Sequence, residues 1–323
     1  MIYHNIKPCN SFSKIGTFIF MIITCLLLSN CSIFQGDSSY DLERQINLQN
    51  AQREITSESQ PEAKKTAEEY EARGDLYLIQ NDFNRAYVQY VKGLGQSPDN
   101  RSLLHKQANL LLKKDRRIEA KNIYNKLLEQ DKGDSLALQG LGRILFSQGA
   151  FKKAEEAFNQ AIELNPDLGR SFEFIGLIHC SREEYQIAIT FFQKALSLLP
   201  TDYTVTNNLA VTYYILKDYS KSVSLLKTIP EKLKGKKVYN NLALSYFKLG
   251  DHDTALVYFK RGSESDSIAY NNIGYEFLCT NNYIPAISAF ELAIKLHPKY
   301  YPEAQTNLKV AKNALTKIGT TDK

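Results

Sequence analysis

The sequence predicts an all-α chain of stacked helix pairs, and three observations predict it. Residues 135–200 hold two copies of one motif that superimpose without a gap: Gly142 on Gly176, Ala154 on Ala188, Phe158 on Phe192, Ala161 on Ala195 and Pro166 on Pro200. Three columns extend this period along the chain. The first is small: Gly74, Ala108, Gly142, Gly176, Ala210, Ala243 and Gly274, at steps of 34, 34, 34, 34, 33 and 31 residues. The second (Ala86, Ala120, Ala154, Ala188, Ser222, Ala255, Ala286) and a large, mostly aromatic third (Tyr90, Tyr124, Phe158, Phe192, Leu226, Phe259, Phe290) keep the same steps. Finally, each unit carries apolar residues at helical spacing twice, broken by a turn such as Ser147–Ala150. A period of this size is the mark of a stacked array.

The columns have physical reasons. Small residues let two antiparallel backbones approach, and the large residue fills the space toward the next pair. A proline past the second helix prevents its continuation. One pair cannot bury its own apolar face, so stability comes from stacking neighbours. These residues and this period resemble the tetratricopeptide repeat family over about 230 residues. The family's tryptophan is absent; Tyr70, Leu104, Leu138 and Phe172 hold its place. The resemblance implies a right-handed superhelix, an α-solenoid, whose first helices line a concave groove.

In chain order, residues 1–30 read as a lipoprotein signal peptide. Lys7 and Lys14 give a positive flank, and Ile15–Leu28 is an uncharged apolar run. That run is shorter than the ~20 residues of a membrane span and fits a signal-peptide core. Leu28-Ser29-Asn30-Cys31 resembles the bacterial lipoprotein cleavage box, although Asn30 departs from the usual small residue. An uncleaved anchor and an ordinary secretory signal are the alternatives. Acylation at Cys31 would supply two or three chains, enough for stable anchoring. Ser32 follows the cysteine in place of Asp, which in that family implies the inner, periplasmic face of the outer membrane. Residues 31–66 form a polar tether with a short helix expected at Asp41–Ile55 and a helix start near Glu62.

Seven repeats are expected over residues 67–300. The proline column reads Pro98, Lys132, Pro166 and Pro200, with Gly133 able to end the second of these helices. His179 falls in a core column and reads as a packed histidine. Cys180 and Cys279 lie about three repeats apart, beyond the ~6 Å Cα span of a disulfide, and read as buried free thiols. Repeats five to seven carry doubled asparagines: Asn207-Asn208, Asn240-Asn241 and Asn271-Asn272. Leu209, Leu242 and Ile273 face the core, so the asparagines lie off it. An amide offers both a donor and an acceptor and can pair with a peptide backbone of any sequence. The alternative is that they cap or bridge neighbouring repeats. The same register turns Glu71, Asp75, His105, Lys106, Asn109 and Arg143 toward the groove, against the alternative of a solvated face. The basic link Pro230–Lys237 reads as a solvated loop, and repeat six is shortened, its end from Gly262 to Ser267 lacking a proline. Residues 301–323 supply a capping helix at Tyr301–Thr316, with Ala304, Leu308, Ala311 and Leu315 on one stripe, and a loose tail from Gly319.

The chemistry is that of a binder. The net charge of +5 falls to +3 without residues 1–30, too little to argue for nucleic acid. No Walker loop, HExxH, GxSxG or CxxC is present, so no enzyme, metal or cofactor is expected. The expected function is a membrane-anchored scaffold that holds an extended segment of a partner protein. A lipid-boxed chain with these repeats is similar to lipoproteins of pilus assembly, of the tight-adherence and type IV pilotin kinds. That resemblance implies an outer-membrane secretin or another pilus component as partner. The alternative is an envelope adaptor for peptidoglycan hydrolases or a periplasmic protease.

Overall fold

A computed structural model describes residues 65–321; the signal segment, Cys31 and the expected helix at Asp41–Ile55 lie outside the described residues. Fifteen α-helices follow one another: α1 (Ala67–Ile79), α2 (Phe83–Gln96), α3 (Arg101–Lys113), α4 (Arg117–Gln130), α5 (Ser135–Ser147), α6 (Phe151–Leu164), α7 (Gly169–Ser181), α8 (Tyr185–Leu198), α9 (Tyr203–Ile215), α10 (Tyr219–Thr228), α11 (Lys236–Lys248), α12 (His252–Gly262), α13 (Asp266–Cys279), α14 (Tyr283–Leu296) and α15 (Pro302–Thr321). They make the seven pairs and terminal helix that the sequence predicts. No strand interrupts them among the described residues. The described chain divides into two compact units, residues 65–178 with 197–200, and residues 179–196 with 201–321. Within each, a second helix packs on its own first helix and on the first helix of the following pair.

Local chemistry sets the helix ends. Asp82, Asn100, Asp134, Asp202, Asp218, Asp251 and Ser265 each accept a hydrogen bond from a backbone N–H of the first turn that follows. Thr66 and Glu69 form a reciprocal capping box that starts the first described helix at Ala67; the start expected near Glu62 lies outside the described residues. Pro98, Pro166, Pro230 and Pro298 each fall two residues beyond the last residue of a second helix. The residue before each is forced out of helical geometry by the ring. Lys132 replaces that proline after α4, where Asp131 takes the extended conformation and its side chain accepts from Gly133 N at 2.9 Å.

The turn inside each pair is a second period. Asn81, Asp115, Gly149, Glu183, Lys217, Gly250 and Asn281 all have φ between 59° and 85°. Asparagine, aspartate and glycine tolerate this left-handed geometry; glutamate and lysine do so at a cost.

The core is the aromatic column. Tyr90, Phe158, Phe192 and Phe290 are fully buried. A Cβ added at Gly74, Gly142 or Gly274 would meet the ring of Tyr90, Phe158 or Phe290 at 2.3, 2.7 and 2.8 Å, so glycine is needed for the close approach.

Several details differ from the sequence reading. Cys180 is buried, but Cys279 is only partly so. His179, by contrast, is packed as expected: it stacks on Phe191 with centroids 5.1 Å apart, and its Nδ1 lies 2.5 Å from Glu184 Oε2. The link after α10 is solvated, as expected, but it is ordered by side-chain bonds. Glu231 in its short 3-10 segment accepts from Lys234, Tyr239 and Arg261 at 3.0, 2.9 and 3.1 Å. Helix α15 runs on to Thr321, through the expected tail, because Gly319 lies in a helix already nucleated and no proline stops it. Its inner stripe buries Ala304 and Ala311, whereas Leu315 is exposed. No helix among the described residues is long and apolar enough to cross a membrane.

Replacing Lys217 by glycine should relieve the left-handed turn. The strain removed, about 1–2 kcal/mol, exceeds the added chain entropy of about 0.5–1 kcal/mol. Urea unfolding should therefore show a raised midpoint with an unchanged slope.

Candidate functional site

Two rows of polar side chains stand on the first helices, one in each unit. In the first unit they bridge successive pairs. Lys106 of α3 reaches back to α1, where its Nζ lies 2.6 Å from Asp75 Oδ2 and also pairs with Glu71. Ser102 Oγ donates to Glu71 Oε1 at 2.6 Å. The exposed Asn109 accepts at Oδ1 from Arg143 Nη1 of α5 and from Tyr124, each at 3.0 Å. Tyr90 makes the equivalent bond to buried Asp75 at 2.8 Å. The tyrosines of the aromatic column thus occur where the residue fifteen earlier offers an acceptor. Burial pushes the Tyr124 phenol up to about 12, so it stays a donor at neutral pH.

Asp134 joins this row at the start of α5. It caps α5 by accepting from Ala137 N at 3.0 Å, and its other oxygen lies 2.8 Å from Arg101 Nη2 and 2.9 Å from His105 Nε2. Burial opposes its ionisation, yet the Ala137 N–H, Arg101 and His105 together hold the carboxyl below the usual carboxylate range. The sequence reading placed His105 in the groove but passed over Asp134 and Arg101; the signal available was an aspartate just before a helix start.

In the second unit the asparagines divide. Asn241 Nδ2 donates to Asn207 Oδ1 at 2.8 Å, and both residues are buried. Asn271 Oδ1 accepts from Asn307 of α15 at 3.1 Å. These four amides bridge α9 to α11 and α13 to α15. Asn208 is buried, and its carbonyl accepts from Thr212 Oγ1 at 2.8 Å. Asn240 Oδ1 is buried and accepts no hydrogen bond among the described residues. It rests above Gly262, where an added Cβ would come within 2.3 Å of it. Asn272 is buried on α13, one residue beyond Asn271. The array also brings together groups that the sequence reading did not select. Lys248 Nζ of α11 lies 2.9 Å from Glu276 Oε2 of α13, and burial, with the Glu276 charge second, raises the Tyr214 phenol. Their signal was a place in the last turn of the first helix, in units five to seven.

Among the described residues no group of His, Cys, Asp and Glu could hold a metal ion. What the rows offer is fixed donors, acceptors and paired charges on a rigid helical face.

Two stretches each match a family model described as "Tetratricopeptide repeat": residues 135–168 and 236–268. The fold is a tetratricopeptide-repeat fold. Among solved structures, the chain is similar to Pseudomonas aeruginosa pilF, with 22% identity, a TM-score of 0.52, and 60% of this chain and 90% of that one covered. It is also similar to the Cut9–Hcn1 hetero-tetramer of the APC/C, with 16% identity, a TM-score of 0.59 and coverage of 91% and 55%. Curated relatives include anaphase-promoting complex subunit 6 of Arabidopsis thaliana, 29% identical over 174 residues, which are 51% of this chain and 32% of the relative. The BBSome complex member BBS4 homolog of Drosophila melanogaster is 24% identical over 228 residues, 66% of this chain and 46% of the relative. The chain thus spans less than half the length of these curated relatives.

Two outcomes follow from the rows. Because the folded-state acidity of Asp134 is enhanced, its contribution is present above the unfolded carboxylate value of about 3.9 and is lost as pH falls through the lower folded value. Asp134→Asn should cost about 1–3 kcal/mol at pH 7, and the deficit should shrink toward pH 3, as read by urea melts at both pH values. A double-mutant cycle of Asn207→Ala and Asn241→Ala should give a coupling of about 1 kcal/mol, whereas two groups serving only a ligand would show none in the free protein.

Proposed function

We propose that this tetratricopeptide protein is an acyl-anchored scaffold that captures an extended segment of a partner along its first helices. The observation that carries the reading is the row of polar side chains on successive first helices, fixed by bonds from one pair to the next. A groove held in this way loses little ordering entropy when it binds. In the first unit Lys106, Asn109 and Arg143 present charge and amide groups. In the second, Asn272 is the amide offered to a peptide backbone, because Asn207, Asn241 and Asn271 are engaged with other amides and the Asn240 oxygen is buried above Gly262.

The setting we propose is the cell envelope, with Cys31 acylated and the array tethered at the periplasmic face of the outer membrane. Tethering would raise the local concentration of partners at that surface. The proposed partner is an outer-membrane secretin or another component of pilus or secretion-system assembly. The lipid box at Leu28–Cys31 joined to repeats of this kind supports that choice. The fold shared with P. aeruginosa pilF is consistent with it.

The test is crosslinking in cells with a photoreactive residue at Asn109 or Asn271, followed by identification of the adduct. Recovery of a secretin or pilus component is the expected result. Recovery of peptidoglycan hydrolases or a periplasmic protease would replace it with the adaptor function. In parallel, Cys31→Ser should move the protein out of the outer-membrane fraction, and full retention there would overturn the acyl anchor.

A further inference from the structure

Most other second helices expose one or two apolar side chains, such as Ile118 and Leu164, but keep one outward position polar. That position holds Lys92, Lys126, Gln160, Lys194, Thr228 and Arg261 in the first six pairs, each exposed except Lys126, which is partly so. In the seventh pair the same position holds Leu292. It belongs to a stripe. On α14, Ile284, Leu292 and Leu296 are 68%, 41% and 48% exposed, and Tyr300 just beyond the helix is 76% exposed. Ile284, Ser288, Leu292 and Leu296 follow at intervals of four, so they line one side of the helix over roughly 18 Å.

The charges around the stripe are unbalanced. Glu291, the acid next to Leu292, is neutralised by Lys312 of α15 at 2.8 Å. Lys295 and Lys299 are exposed beside Leu296 and Tyr300. Lys309 adds a further exposed cation on α15. Exposed leucine and isoleucine, a tyrosine at the edge and lysines whose stems can lie along the apolar strip make an interfacial arrangement. The area argues the same way. One narrow stripe exposes on the order of a few hundred Å², short of the ~800 Å² per partner of a standard protein interface. A lipid surface needs no such extent of complementary shape.

We propose that this outer face of α14, with Lys295, Lys299 and Lys309, is a membrane-contact surface for anionic lipid headgroups. Its biological setting rests on the acyl-anchor reading above: the acyl chains would hold the protein at the membrane, and the patch would set which side faces the lipid. The contact gives the second unit a fixed side toward the lipid.

The sequence contains no tryptophan, so Tyr300→Trp places a sole reporter at the edge of the stripe. The test uses the full chain carrying Cys31→Ser, which removes any acyl contribution, mixed with vesicles containing phosphatidylglycerol. The introduced indole reports its own surroundings, so insertion of the apolar run near the N-terminus alone would leave it open to aqueous quencher. The expected result is a blue-shifted emission and loss of iodide quenching. Leu292→Glu with Leu296→Glu should abolish both, and Lys295→Gln with Lys299→Gln should weaken partitioning about tenfold or more. An emission that stays unshifted, or an equal shift on pure phosphatidylcholine, overturns the proposal. So does a concentration-dependent shift without vesicles, which would mean that a second copy covers the face. Fractionation of Cys31→Ser cells judges the anchor separately.

Discussion

In three of the helix pairs a ring from the second helix lies against a glycine sixteen residues earlier on the first. The pairing Gly74 with Tyr90, Gly142 with Phe158 and Gly274 with Phe290 leaves no room for a Cβ beyond the glycine. Everything else in the array depends on that close approach. It fixes the separation of the two backbones, and so the length of the turn between them. The seven left-handed residues occur at that turn because a chain reversing so tightly needs one residue of positive φ. The intervals between pairs vary, at 34, 33 and 31 residues, but the interval inside a pair does not. The contact within the pair is therefore the rigid element, and the link after it absorbs the change. The turn at Glu231 and the short connection after Gly262 are where it is absorbed.

Polar bonds add order along the array. Lys106 with Asp75, Arg143 with Asn109, Asn241 with Asn207 and Asn307 with Asn271 each join a first helix to the next one along, or to the capping helix. Such groups serve two ends. They satisfy one another where an unpaired amide or charge would be costly, and they hold the surface that a ligand would meet in one arrangement. The partition between these ends runs through individual residues. Asn109 is exposed while accepting two hydrogen bonds, whereas Asn207 and Asn241 are buried with their bond.

The helix pairs were legible because their causes are local and periodic. Ala154 and Phe158 announce a second helix by spacing alone, and Pro166 announces its end. The rows were legible only in part. Register placed Lys106, Asn109 and the asparagines off the core face, but it could not say that Asn241 would spend its amide on Asn207. That depends on the distance between two helices more than thirty residues apart. Cys279 was misread for the same reason: how far it is covered depends on which neighbours the stacking brings beside it.

The sequence by itself determined the number of helix pairs, their order, their turns and the identity of the core column. Those follow from side-chain volume, backbone freedom and a repeat that is visible without coordinates. The tertiary structure alone decided which polar groups are consumed in bridging the pairs and which apolar side chains stay uncovered on α14. An amphipathic pattern says that one face is apolar; it does not say whether a neighbour arrives to bury it. For Ala286 and Phe290 one does, and for Ile284, Leu292 and Leu296, on the same helix, none does.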